Sequence, residues 1–96
     1  MTRLDPFPGM TGTAIAGEGM TLARWRFEAG AEFPEHSHAA AQLTWVISGR
    51  LELTVDGVPL TLGPGDHAAV AAWVPHSGRA LEATEVVDSF TPGREW

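Results

Sequence analysis

The chain has 96 residues, with 12 Asp and Glu against 6 basic residues, all of them arginine, for a formal charge of −6. That balance excludes a nucleic-acid partner, which needs a basic stripe, and an anionic membrane surface. The length allows one domain, and the absence of cysteine excludes disulfides and thiolate metal sites, leaving His, Asp, Glu and Gln as possible ligands. A chain of this size buries only roughly 60–65% of its extended surface, so a homodimer is expected to add stability. The opening Met1–Pro8 carries no apolar leader, and the longest apolar run, Ala68 to Val74, is too short to span a bilayer. A cytoplasmic setting is expected.

Glycine and proline recur every eight to twelve residues, a spacing that suggests many short strands. Residues 1–19 read as an N-terminal arm with one edge strand, and residues 20–96 as the main domain. Thr21 to Phe27 is the first clear strand, closed by Glu28-Ala29-Gly30. After a His-containing turn, Gln42 to Ile47 reads as a strand that ends at Ser48-Gly49. Leu51 to Val55 alternates strictly, so one face is buried and one wet. Asp56-Gly57 is a two-residue hairpin signal, with Val58 to Leu62 returning and Gly63-Pro64-Gly65-Asp66 turning. Ala68 to Ala71 and Thr84 to Phe90 supply the last two strands, with Val74-Pro75-His76 as a turn between them. No helix-period segment appears. The reading is all-β, and a closed barrel or jelly roll is favoured because it removes exposed sheet edges.

The chemistry concentrates between Gly30 and Gly49. His36 and His38 are separated by one residue, which sends both imidazoles to the same side of an extended chain. Gln42 shares their parity and adds an oxygen donor; Thr44 and Val46 continue that parity and are placed to line a cavity. Such a set suits one divalent ion but does not choose among Zn, Mn, Fe, Ni and Cu. Asp66 caps the turn at Gly65, and His67 beside it is a surface residue or supports the ligands from outside. Trp25, Trp45 and Trp73 read as barrel packing. Arg24 and Arg26 share one strand face, where Arg24 serves either as a solvent-facing ion pair or as a substrate-binding clamp.

This segment resembles the cupin superfamily, whose first motif is a Gly, five residues, His-x-His, three or four residues, Glu, six residues and a Gly. Gly30, His36, His38 and Gly49 sit at those positions, with Gln42 in place of the Glu. Gly65 and His76 match the Gly and His of the second motif, while Ala71, Trp73 and Ala80 replace its Pro, Gly and Asn. The resemblance implies a cupin jelly-roll barrel, a double-stranded β-helix, holding one metal ion with His36, His38, His76 and Gln42. Gln42 either ligates directly or orients a metal-bound water.

The tail resembles a narrower subgroup of small cupins, which includes the pectin-degradation proteins that open unsaturated uronate rings. They share a Leu-Glu before the last strand and then Asp-x-Phe-x-Pro-x-Arg, matched here by Leu81-Glu82, Asp88, Phe90, Pro92 and Arg94. The resemblance implies catalytic roles for Asp88 and Arg94 and a substrate-binding wall at Phe90, which Thr44 joins by its parity with Gln42. The other reading is a structural Asp88–Arg94 pair with Phe90 in the core. The expected activity is Lewis-acid chemistry without redox change on a small carboxylated or carbonyl substrate: ring opening, tautomerisation, cyclisation or elimination. A sugar acid is the first candidate. An iron-dependent dioxygenase and a non-catalytic small-molecule-binding cupin are the alternatives. Elimination through a tyrosine beside the metal is disfavoured, because the chain has no Tyr.

Overall fold

The structure, a computed structural model, describes residues 1–94. Ten strands follow in order: β1 Thr2–Phe7, β2 Met10–Gly17, β3 Met20–Phe27, β4 Glu32–His36, β5 Ala41–Ser48, β6 Leu51–Val55, β7 Val58–Leu62, β8 His67–Val70, β9 His76–Ala80 and β10 Thr84–Thr91. They form two antiparallel sheets, one of six strands in the order β1-β2-β3-β10-β5-β8 and one of four in the order β4-β9-β6-β7. This is the all-β jelly-roll barrel expected. No helix among the described residues is long and apolar enough to cross a membrane.

Alternation explains the large sheet. In β3, Thr21, Ala23, Trp25 and Phe27 are buried while Met20, Leu22, Arg24 and Arg26 are exposed. β10 and β5 repeat the pattern, and their registers place three inward rows side by side: Trp25–Val86–Val46, Ala23–Asp88–Thr44 and Thr21–Phe90–Gln42. The first row is apolar packing. The next two carry polar groups at the end of the barrel that faces the His-containing turn. Ala23 is fully buried opposite Asp88, and its small side chain leaves room for the carboxyl.

The small sheet supplies the other wall. Phe33 of β4 lies across from Gly78 of β9, and a Cβ on Gly78 would overlap the Phe33 ring. Leu51 and Leu53 of β6 close the core beneath them. Gly49, which bounds the His motif, has φ 84° and packs its Cα face against Ala83 and Thr84, so it meets both conditions that favour glycine. The β6–β7 turn has Asp56 and Gly57 both at positive φ, as its sequence predicts.

Several elements went beyond the sequence reading. Residues 2–17 form two strands that extend the large sheet through β2–β3 pairing, and Phe7 and Met10 reach the barrel cavity. The span 32–36, expected as part of the His-containing turn, and the span 76–80, which starts on the last residue of the expected Val74-Pro75-His76 turn, are strands. Trp45 and Trp73 were expected inside and are 53% and 66% exposed. Trp45 has the opposite parity from Thr44 and Val46, so it falls on the outer face. Trp73 stands at φ 64° in the β8–β9 turn, where its backbone N–H donates to the His38 carbonyl at 2.8 Å.

Candidate metal centre

Three imidazoles converge at one end of the barrel. His36 closes β4, His38 follows in the β4–β5 turn, and His76 opens β9 opposite His36. Ring centroids are 4.3 Å apart for His36–His76, 4.9 Å for His38–His76 and 5.5 Å for His36–His38. One ligand atom from each lies within 4.8 Å of the others. Some point then lies no more than about 2.8 Å from all three, and a small inward shift gives the roughly 2.0–2.1 Å of a metal–imidazole bond. These three histidines can hold a metal ion.

The backbone sets the tautomers. His36 Nδ1 donates to the Pro34 carbonyl at 3.0 Å, His38 Nδ1 to the Ala40 carbonyl at 2.8 Å, and His76 Nδ1 to the Val74 carbonyl at 2.9 Å. A carbonyl only accepts, so each Nδ1 carries a hydrogen, and the tautomer this selects has a bare Nε2. His76 Nε2 is buried with no partner, an arrangement that costs energy unless something binds there. His38 Nε2 lies 3.1 Å from Gln42 Oε1, so two acceptor atoms face one another. A cation between or beside them resolves both conditions. Three imidazole nitrogens suit a borderline divalent ion.

Burial disfavours the charged form of His38 and His76. It lowers the His38 pKa, against the opposing Ala40 carbonyl, with Arg94 and His36 lowering it further. It takes His76 down to about 4, against the Val74 carbonyl, and the neighbouring His36 and His38 add to the lowering.

A second polar group continues from Gln42. Its Nε2 donates to Thr44 Oγ1 at 2.9 Å, and the Thr44 hydroxyl donates to Asp88 Oδ1 at 2.7 Å. Burial raises the Asp88 carboxyl to about 6, opposed by hydrogen bonds from Thr44 and Trp25 and by the charge of Arg94. Arg94 is lowered by its own burial, with Asp88 opposing. The Arg94 guanidinium sits 5.5 Å from the centre of the Phe90 ring, within cation–π range, and Phe90 in turn meets the His38 ring edge-on at 5.7 Å. The Arg94 backbone is clamped to β3: its N–H donates to Thr21 Oγ1 at 3.0 Å, and the Thr21 hydroxyl donates to the Arg94 carbonyl at 3.3 Å.

A cavity of about 370 Å³ joins these groups, with His36, Gln42, His76, Asp88, Phe90 and Arg94 among its lining. Thr44 lines it as well. Arg24 is not brought there: it points outward from β3, pairs with Glu85 of β10, and borders a separate surface hollow with Arg3 and Arg26. The alternation of β3 explains this, since Arg24 lies between the inward Ala23 and Trp25. His67 is exposed. Two contributors escaped the sequence reading, Trp25 as a donor to Asp88 and Thr21 as the Arg94 clamp. Only their inward parity on β3 signalled them.

Residues 23–90 match the family model described as a cupin domain, Cupin_2, and the chain belongs to the cupin family. Among solved structures, it aligns with an RmlC-like cupin from Shewanella frigidimarina NCIMB 400 at TM-score 0.90 and 27% identity, covering 98% of this chain and 86% of that one. KdgF from Halomonas sp. aligns at TM-score 0.90 and 28% identity, covering 99% and 89%. The small-cupin resemblance read from the motifs and tail is borne out. Among curated proteins, dimethylsulfoniopropionate lyase DddQ of Ruegeria pomeroyi is 34% identical over 55 residues, 56% of this chain. The chain spans only 27% of that relative's length.

Proposed function

We propose that this cupin is a metal-dependent enzyme in which His36, His38, His76 and Gln42 hold one divalent ion, and Asp88, Phe90 and Arg94 receive a small carboxylated or carbonyl substrate. The observation that carries the reading is the set of bare acceptor atoms: three Nε2 lone pairs whose rings have spent Nδ1 on backbone carbonyls, with Gln42 Oε1 turned toward one of them. The bound ion, Zn, Mn, Fe, Ni or Cu, supplies Lewis-acid polarisation of a substrate oxygen. Arg94, fixed at its backbone by Thr21, grips a carboxylate with paired N–H donors. Phe90 forms an apolar wall beneath that guanidinium. Asp88, with a pKa of about 6, gives or takes a proton near neutrality. The products that follow are those of ring opening, tautomerisation, cyclisation or elimination.

The likeness to KdgF along the whole barrel and the Asp88, Phe90 and Arg94 tail support a sugar acid as the first candidate. The test is to load purified protein with Zn(II), Mn(II), Ni(II) or Fe(II) and follow the double-bond absorbance of an unsaturated uronate. Turnover that is lost in His36→Ala and Arg94→Gln supports the reading. Oxygen uptake with Fe(II) would move the assignment to a dioxygenase, and ligand binding without turnover would make the chain a binding cupin.

A homodimer belongs to the same proposal, built on the outer face of the large sheet. Ile15 pairs with Leu22 across β2–β3, and Ser89 of β10 joins Leu22 to Leu43 of β5, next to Trp45. With Met20 and Ile47, these half-exposed side chains offer on the order of 600 Å² of apolar surface, close to one partner's share of a standard interface. Two such sheet faces pack as the layers of a sandwich do.

A further inference from the structure

Resting on the metal reading above, we propose that Thr44 is the positioning residue that decides which atom of Gln42 faces the ion, and that Gln42 and Asp88 are a matched pair coupled chiefly through the single hydroxyl hydrogen of Thr44. The three residues are buried, so each of their polar atoms needs a partner close by. A hydroxyl has one hydrogen to give. Asp88 Oδ1 lies 2.7 Å from Thr44 Oγ1 and, as a carboxylate, only accepts, so the hydrogen goes to Asp88. Thr44 Oγ1 is left as an acceptor, and the Gln42 amide meets it with Nε2–H at 2.9 Å. The amide oxygen then points the other way, 3.1 Å from His38 Nε2. The Gln42 amide also reaches Asp88 directly as a weaker donor, so Asp88 writes the orientation of the amide both by that contact and, more strongly, through Thr44, while the Trp25 donor on Asp88 holds the far end.

This relay accounts for a glutamine where the first cupin motif usually has a glutamate. A glutamate at position 42 would set two carboxylates on either side of one hydroxyl hydrogen, and one of them would go without. An asparagine at position 88, with its oxygen kept by the Trp25 N–H, would turn its own N–H toward Thr44. The hydroxyl would then donate toward Gln42 and rotate the amide N–H₂ to the ion. The two changes together fit, because the whole relay runs in reverse and ends on a carboxylate at position 42.

The test is a competition titration of Zn(II) at pH 8 against a chromophoric chelator, on the full chain. Thr44→Val weakens Zn(II) by about 10- to 100-fold, as loss of a group that orients a ligand does, while Thr44→Ser stays close to the parent protein. Gln42→Glu strengthens Zn(II) binding at least about tenfold more in an Asp88→Asn background than alone, and this excess disappears when Thr44→Val is added. An unchanged affinity in Thr44→Val overturns the proposal. So does an excess that survives Thr44→Val, since conservation of charge alone would then explain it. Urea unfolding of the same variants in chelator reads the relay without any ion: the paired variant must be more stable than the two single changes add up to, and additivity there also overturns it. A parent protein that binds no Zn(II) would sink the metal reading and leave the relay to be judged by that unfolding cycle.

Discussion

His36 and His76 stand directly opposite one another across the β4–β9 pair, with ring centroids 4.3 Å apart. Each donates its Nδ1–H to the carbonyl two residues before it, so both rings turn Nε2 the same way. A short strand pair thereby does what a longer scaffold would otherwise do. It brings two candidate ligands 40 residues apart in sequence to one place, in one tautomer, with backbone carbonyls accepting from both rings.

That pairing gives a pH prediction for the metal-free protein. His76 has a pKa of about 4, below the 6.5 of a free imidazole, so between those values the unfolded chain binds a proton that the folded chain refuses. This residue's contribution to stability therefore falls as pH drops from 6.5 to about 4. Asp88 acts in the opposite sense: its pKa of about 6 lies above 3.8, so it adds stability as pH drops through that range. Asp88 is common to the parent and to His76→Gln, and its effect cancels in their difference. Relative to the parent, His76→Gln should improve by up to about 3 kcal/mol between pH 6.5 and 4, measured by urea unfolding in chelator. A gap that does not change with pH would contradict the burial argument.

Gly78 tests the packing behind the site. A Cβ at this position would enter the Phe33 ring, and Phe33 in turn meets His36 edge-on at 5.7 Å. Gly78→Ala should cost about 1–3 kcal/mol from overpacking, and Phe33→Leu in the same chain should return part of it. Thermal unfolding of the single and paired variants checks this.

Most of the barrel was legible because the relevant strands alternate. The inward parity of Gln42, Thr44 and Val46 and the two-residue turn at Asp56-Gly57 both read directly from residue order. The spans 32–36 and 76–80 were not legible: Pro34 and Gly78 suppress the strand signal, and it is pairing between the two segments that makes them strands. The His ligands could be grouped by motif spacing alone, but the tautomers and the Gln42–Thr44–Asp88 relay depend on cross-strand register, which no local pattern encodes. Trp45 and Trp73 misled for a related reason. Aromatic residues suggest a core, and here an apolar outer face claims one of them and a turn the other.

The outer face yields a prediction about assembly. Trp45→Glu or Leu43→Glu places a charge in the proposed sheet-to-sheet contact, on the face of β5 opposite the cavity lining. Sedimentation velocity should show a dimer for the parent and a monomer for either variant, with metal content unchanged. A monomeric parent would remove the dimer from the proposal.

Variants of Arg94 test whether substrate binding and metal binding are separate. Arg94→Lys keeps the charge but loses the paired donors, and should weaken a carboxylate probe such as galacturonate by about tenfold or more on the Zn(II)-loaded protein. Zn(II) affinity itself should change little. Calorimetric titration of probe and metal in turn distinguishes the two effects; equal losses in both would mean that Arg94 supports the metal site instead.

The central claim is that His36, His38, His76 and Gln42 form one metal site, and metal analysis tests it most directly. Protein purified without added metal, then titrated with Zn(II), should bind one ion per chain, with the unfolding temperature rising as the ion is added. The His36→Ala and His76→Ala variants should each lose that ion. Stoichiometric tight metal in a chain lacking His36, His38 and His76 together, or no binding by the parent to any of the five candidate metals, would contradict the account.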